Sequence, residues 1–145
     1  MQISELKFGE LDTYLKLLQE LDKDNVLSIE EAQLMHNKVS NYPFYKIYCA
    51  ANDEVIIGTF SLIICDNFGH GGLKFAIVEN VVVHPEYKDM GIGKKMLKEA
   101  MNLAINNKCY KLMLSSNENR QEAHAFYDSL DFKRHGVSFM TELIT

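Results

Sequence analysis

Paired cysteines, long apolar runs and an excess of positive charge are all missing from this chain of 145 residues. Cys49, Cys65 and Cys109 form an odd set without paired spacing. That excludes a disulfide framework and a cysteine-based zinc site, and it makes a reducing cytoplasm the expected compartment. No apolar stretch approaches the roughly 18 residues that a membrane span needs. The start, Met1-Gln2-Ile3-Ser4-Glu5, has no basic segment followed by an apolar run, so no signal peptide is expected. Lys and Arg number 15 against 20 Asp and Glu, a formal net charge of −5. Such a balance argues against nucleic-acid binding through bulk electrostatics. Repeats, linkers and low-complexity tracts are absent too. Proline occurs only at 43 and 85, and each marks the end of a predicted element.

What is there is ordinary globular composition, 47% hydrophobic and 24% charged. One domain over residues 1–145 is expected, large enough to bury a core without staples. Ile3 to Phe8 reads as a short strand. Leu11, Tyr14, Leu15, Leu18 and Leu21 recur at helical spacing over Glu10 to Leu21. Ser28-Ile29-Glu30-Glu31 is a capping box that starts a second helix, which ends near Tyr42-Pro43. The period then becomes two, over Tyr45–Ala50 and Val55–Cys65, with a turn at Asn52-Asp53-Glu54. A glycine-rich loop, 66–72, leads into a β-rich run from Lys74 to Val83. Helices are predicted over Gly91 to about Asn107 and Gln121 to Leu130, a strand over Lys111–Ser115, and a closing strand over His135–Ile144. The order β-α-α-β-β-β-α-β-α-β is that of an α/β chain with a mixed sheet.

The strongest chemical signal is Glu79-Asn80-Val81-Val82-Val83-His84-Pro85-Glu86-Tyr87-Lys88-Asp89-Met90-Gly91-Ile92-Gly93-Lys94. A strand runs into a tight loop and the loop into a helix. Gly91 and Gly93 allow unusual backbone angles and close approach to a ligand. Free amides and the positive dipole end at the helix start make an anion site, to which Lys88 and Lys94 add charge. A P-loop is disfavoured, because Lys95 follows Lys94 where a hydroxyl is needed. A dinucleotide fingerprint is disfavoured by Met96 in place of a third glycine. A plain glycine turn before a helix also fits the two glycines alone.

The segment resembles the coenzyme A loop of the GNAT family of N-acetyltransferases, which reads Arg/Gln-x-x-Gly-x-Gly/Ala between strand and helix. Lys88 stands where Arg or Gln is usual; it keeps a donor and loses the fork geometry. Asn119-Arg120-Gln121-Glu122-Ala123-His124-Ala125-Phe126-Tyr127-Asp128-Ser129-Leu130-Asp131-Phe132 is similar to a second family segment. There Asp131 replaces the usual glycine, and the turn still calls for a left-handed residue, which Asp tolerates. Within the family, Glu79–Val83 and the short length look most like glucosamine-phosphate N-acetyltransferases. The resemblance implies a single-domain GNAT (acyl-CoA N-acyltransferase) fold, with a mixed sheet of six to seven strands and helices on both faces. It implies acetyl-CoA as co-substrate and a small-molecule primary amine as acceptor, in a ternary complex. A homodimer through the carboxy-terminal strand is common among relatives.

Acetyl transfer needs a base for the amine, a donor for the thioester oxygen and an acid for the leaving thiolate. Glu79, in an otherwise apolar strand, is the base candidate, directly or through a water; burial there would raise its pKa. Its alternative is a solvent-facing or paired carboxylate. Tyr127 is the acid candidate, being protonated at neutral pH; the family places its tyrosine near the coenzyme sulfur. The alternative is a core tyrosine beside Phe126 and Phe132. Val81, Val82 and Val83 would pair through their backbone with the pantetheine arm, as an added strand does. Residues 88–94 (Lys88, Asp89, Met90, Gly91, Ile92, Gly93, Lys94) would hold the pyrophosphate. Asn119, or else Asn117, would contact the coenzyme; either also fits a helix cap. His84 reads as a strand terminus, and His124 as a packed or surface residue with a place in the site as the alternative. No His-Glu-x-x-His spacing exists, so no metal is expected.

Acids at 20, 22, 24, 30 and 31, against Lys23, form a rim that favours a cationic amine over a phosphorylated sugar, or an ordinary solvated helix start. Tyr42, Phe44 and Tyr45 fit an acceptor groove or the core. A protein or peptide acetyltransferase of the same fold is the first alternative function, and a non-catalytic acyl-CoA-binding module the second. Binding alone would need neither Glu79 nor Tyr127.

Overall fold

The computed structural model describes residues 1–144, which divide into two compact units, residues 1–113 and residues 114–144. The first unit is built on one sheet: β1 (Gln2–Glu5), β2 (Tyr45–Asn52), β3 (Val55–Cys65), β4 (Lys74–Val83) and β5 (Cys109–Met113), in that spatial order. The first four strands are antiparallel neighbours, and β4 and β5 run parallel. Helices α1 (Leu11–Leu18) and α2 (Ile29–Val39) follow β1, and α3 (Ile92–Asn106) makes the β4-to-β5 crossover.

Helices cover both faces of this sheet, and the pairing register shows how. Thr59 of β3 is the cross-strand partner of both Cys49 and Val82. Cys49 and Val82 pack in one cluster with Leu11, Tyr14, Leu15 and Leu17 of α1. The neighbouring Gly58 looks to the opposite face, as strand alternation demands. There a Cβ would stand 2.9 Å from the Met96 sulfur of α3, so the helix lies directly on a residue without a side chain. Met96, Leu97 and Ala100 are fully buried on that side.

The capping box forms as read. Glu31 N–H donates to Ser28 Oγ at 3.2 Å, and Ser28 N–H donates to the Glu31 carboxylate at 2.9 Å. The first helix is shorter than its apolar stripe suggested: it stops at Leu18, and Leu21 is exposed.

In the second unit α4 (Gln121–Ser129) ends in a Schellman motif. Asp131, at φ +64°, occupies the left-handed position. Its N–H donates to the Asp128 carbonyl at 3.2 Å, and the Phe132 N–H donates to the Tyr127 carbonyl at 3.2 Å. The Phe132 and Tyr127 rings meet edge to face at 5.9 Å, the hydrophobic contact that usually accompanies this cap.

Among the described residues the sheet has five strands, not six to seven. No strand forms over His135–Ile144, where a closing strand was predicted. Phe139, Leu143 and Ile144 are about nine-tenths exposed, at 92%, 88% and 93%. Strand pairing requires a partner edge for its backbone groups and cover for its apolar side chains, and this segment has neither.

Candidate active site

Glu79 sits at a break in the register of β4. Ser61 pairs with Glu79 and Thr59 pairs with Val82, so Asn80 and Val81 together oppose the single residue Phe60. That is a β-bulge, and Asn80 supplies its left-handed residue at φ +51°. Asparagine is among the few non-glycine residues that visit this region routinely. The bulge has two consequences. It turns Glu79 and Val82, three positions apart, towards the same face, the one that carries α1. It also leaves Glu79 exposed, the solvent-facing one of the two readings that the sequence left open. The apolar flanks Val78 and Val82 are buried on opposite sides, while the bulge swings the carboxylate out. The sequence signal for it was Asn80, the one amide in a run of apolar residues.

β4 and β5 part company next to this bulge. Their last pair is Ile77 with Met113, after which β4 runs on from Val78 to Val83 with no β5 partner. The β5-side edge of that stretch is a template for an extended ligand carrying amide groups. Val82 is buried, and Val81 and Val83 are half-buried.

Beyond Val83 the chain makes a tight turn over Pro85–Tyr87, in which the Glu86 N–H donates to the His84 Nδ1 at 3.2 Å. His84 therefore caps this turn instead of only ending a strand. Asp89 and Gly91 both adopt positive φ, +62° and +79°. Gly91 is the N-cap of α3 and, lacking a side chain, offers no cap of its own. The first rung of the helix runs from the Lys95 N–H to the Gly91 carbonyl at 3.1 Å. The N–H groups of Ile92, Gly93 and Lys94 precede it and have no intrahelical acceptor. Lys88, Asp89, Met90 and Lys94 are exposed around them and Ile92 is buried. Only Gly91 uses the conformational freedom expected of both glycines; Gly93 lies within the first turn of α3 with ordinary helical geometry. Replacing Gly91 by alanine should therefore destabilise the protein by about 1 kcal/mol, the scale of forcing a Cβ into the left-handed region, read as a lower midpoint in urea unfolding.

Tyr127 lies in the last turn of α4, held by the cap described above. Burial pushes its phenol above the ordinary tyrosine value, opposed by the Arg120 guanidinium. It is a protonated donor at neutral pH. Asn117 and Asn119 both lie in the turn before α4. The Asn117 side-chain oxygen accepts the Asn119 N–H at 2.9 Å, which ties Asn117 to the turn, and both residues are exposed.

Tyr42 and Tyr45 are neither core nor part of the β4 bulge. Their rings meet edge to face at 5.6 Å. They line a cavity of about 220 Å³ with Glu5, His36 and Lys46. Phe44 lies under the Lys46 ammonium at 5.0 Å. Among the described residues, no group of three or more His, Cys, Asp or Glu could hold a metal, and no helix is long and apolar enough to cross a membrane.

Residues 13–132 match the acetyltransferase (GNAT) family. The chain belongs to that family. Among curated relatives, the glucosamine 6-phosphate N-acetyltransferase of Trypanosoma brucei brucei is 29% identical over 136 residues, covering 93% of this chain and 90% of that protein. The thialysine N-epsilon-acetyltransferase of Bos taurus is 27% identical over 143 residues, covering 90% and 82%. A solved structure from Agrobacterium tumefaciens str. C58 has a TM-score of 0.94 at 26% identity, covering 99% of this chain and all of that one. As a GNAT member the chain is an N-acetyltransferase, and the family uses acetyl-CoA as its co-substrate.

Proposed function

We propose that this protein transfers the acetyl group of acetyl-CoA to the primary amine of a small-molecule acceptor, within one N-acetyltransferase domain over residues 1–145. The observation that carries the reading is the β4 bulge. One short stretch combines an exposed carboxylate at Glu79, an unpartnered strand edge from Val78 to Val83, and the uncapped start of α3 immediately downstream. The pantetheine arm pairs with Val81, Val82 and Val83 as an added strand. The pyrophosphate binds the free amides at Ile92, Gly93 and Lys94, with Lys88 beside them, and Asn119 adds a contact.

Chemistry then needs three groups. Glu79 accepts the proton of the acceptor ammonium, through a water. A β4 amide, that of Val81, donates to the thioester oxygen as it becomes negative. As the C–N bond forms and the C–S bond breaks, Tyr127 gives its proton to the coenzyme thiolate. The amine attacks directly. Burial pushes the Cys49 thiol up to about 12 and also raises Cys109, so neither supplies a thiolate acyl carrier at neutral pH.

The acceptor we favour is an amino sugar phosphate. The likeness to the glucosamine 6-phosphate N-acetyltransferase of Trypanosoma brucei brucei supports it, while the acidic rim keeps its charge and argues for a cationic amine, although two of its acids are tied into local structure. Glu31 is spent on the capping box, and Asp22 accepts from Asn25 Nδ2 at 3.0 Å and from the Asp24 N–H at 3.3 Å within its own loop. Competition of glucosamine 6-phosphate, thialysine and a lysine peptide for acetylation decides between the classes. The reading predicts the highest kcat/KM for the sugar phosphate; a preference for the peptide would favour a protein acetyltransferase. We place the enzyme in the cytoplasm, supported by its free cysteines. We also propose a homodimer in which a second copy covers the exposed Phe139, Leu143 and Ile144. Light scattering should give twice the monomer mass, and Phe139→Asp with Leu143→Asp should return the monomer.

A further inference from the structure

Three hydrogen bonds converge on Asn117, in the turn that leads into α4. Its side-chain oxygen accepts the Asn119 N–H at 2.9 Å. Its backbone carbonyl accepts the Arg120 N–H at 3.0 Å and His124 Nε2 at 2.8 Å. A carbonyl can only accept, so Nε2 carries the proton. The imidazolium and one neutral tautomer both carry it. The His124 N–H separately donates to the Arg120 carbonyl at 3.1 Å, as the first rung of α4. The helix has no side-chain N-cap: Arg120 stands in that position and makes no capping bond. An N-cap side chain ordinarily fastens the entering chain to a helix. Here a ring one turn inside the helix reaches back and does so.

We propose that His124 is a positioning residue for coenzyme binding, its ring holding the Asn117–Arg120 turn in the conformation that presents Asn119. The inference rests on the assignment of Asn119 as a coenzyme contact. Tyr127 is held by the helix ladder and by the cap at Asp131 and Phe132, so loss of the ring loosens the turn and leaves the phenol in place.

The test compares His124→Leu, which removes the donor, with His124→Gln, whose amide nitrogen reaches the place of Nε2. The dissociation constant for acetyl-CoA, by calorimetry, needs no acceptor. It should rise about five-fold in His124→Leu, the scale of one neutral hydrogen bond, and return to within two-fold of wild type in His124→Gln. The kcat of both variants should stay within two-fold. The Asn119 and Arg120 amides should exchange hydrogen several-fold faster in His124→Leu alone. Unchanged affinity in His124→Leu, or an equal loss in both variants, overturns the proposal. Should Asn119→Ala leave affinity unchanged while His124→Leu weakens it, the coenzyme contact lies elsewhere in the turn and the positioning role stands.

Discussion

Tyr127→Phe should lower kcat by about 100-fold, the low end of what a positioned general acid contributes, with KM for acetyl-CoA within two-fold of wild type. The substitution removes one oxygen and keeps the ring that packs against Phe132 at 5.9 Å, so the Asp131 cap and the helix end survive it. The phenol is held above its ordinary value by burial, with Arg120 acting the other way. Its proton is lost only as pH climbs through that raised value. The alkaline fall of kcat in the wild type should therefore lie above the ordinary tyrosine value of about 10. Full turnover in Tyr127→Phe removes the residue from the mechanism.

Glu79→Gln should lower kcat/KM by about 100-fold at neutral pH, again on the scale of general base catalysis. The loss has a diagnostic pH dependence. An acceptor amine deprotonates by itself as pH approaches its own pKa, so the need for Glu79 falls. The deficit should narrow steadily with rising pH and be smallest at the alkaline end of the profile. A pH-independent deficit would mean that Glu79 holds the acceptor and takes no proton. The amide keeps the size of the carboxylate, and Glu79 is exposed, so stability should change by no more than about 0.5 kcal/mol.

Much of this was legible in local chemistry. Ser28 and Glu31 announced the start of α2 because a capping box is satisfied within four consecutive residues. Asp131 announced a left-handed turn because its place in the motif calls for one and aspartate tolerates it. Gly91 marked the start of α3 for the same reason. The bulge at Asn80 was not foreseen. It is a register property of two strands, set by how Phe60 opposes Asn80 and Val81, and nothing within β4 alone states which residue faces which partner. Whether Glu79 was buried or faced solvent was consequently left open by the sequence, and it is exposed. The closing strand failed for a related reason. The segment 135–144 was read as a strand, but a strand exists only where another edge receives it. His124 was read as a packed or surface histidine because its partner is a backbone carbonyl seven residues away, and no side-chain pattern in the sequence records that.

The central claim is direct acetyl transfer to a small-molecule amine. The measurement that bears on it most directly follows free coenzyme thiol and N-acetylated product together, from acetyl-CoA and glucosamine 6-phosphate, over a grid of both substrate concentrations. The account predicts one thiol released per amide formed, intersecting double-reciprocal lines, and no thiol burst when amine is withheld. Parallel lines with a burst of about one thiol per enzyme would instead mean an acyl-enzyme and contradict direct attack. Tight acetyl-CoA binding without turnover on any amine would contradict the assignment of an enzyme.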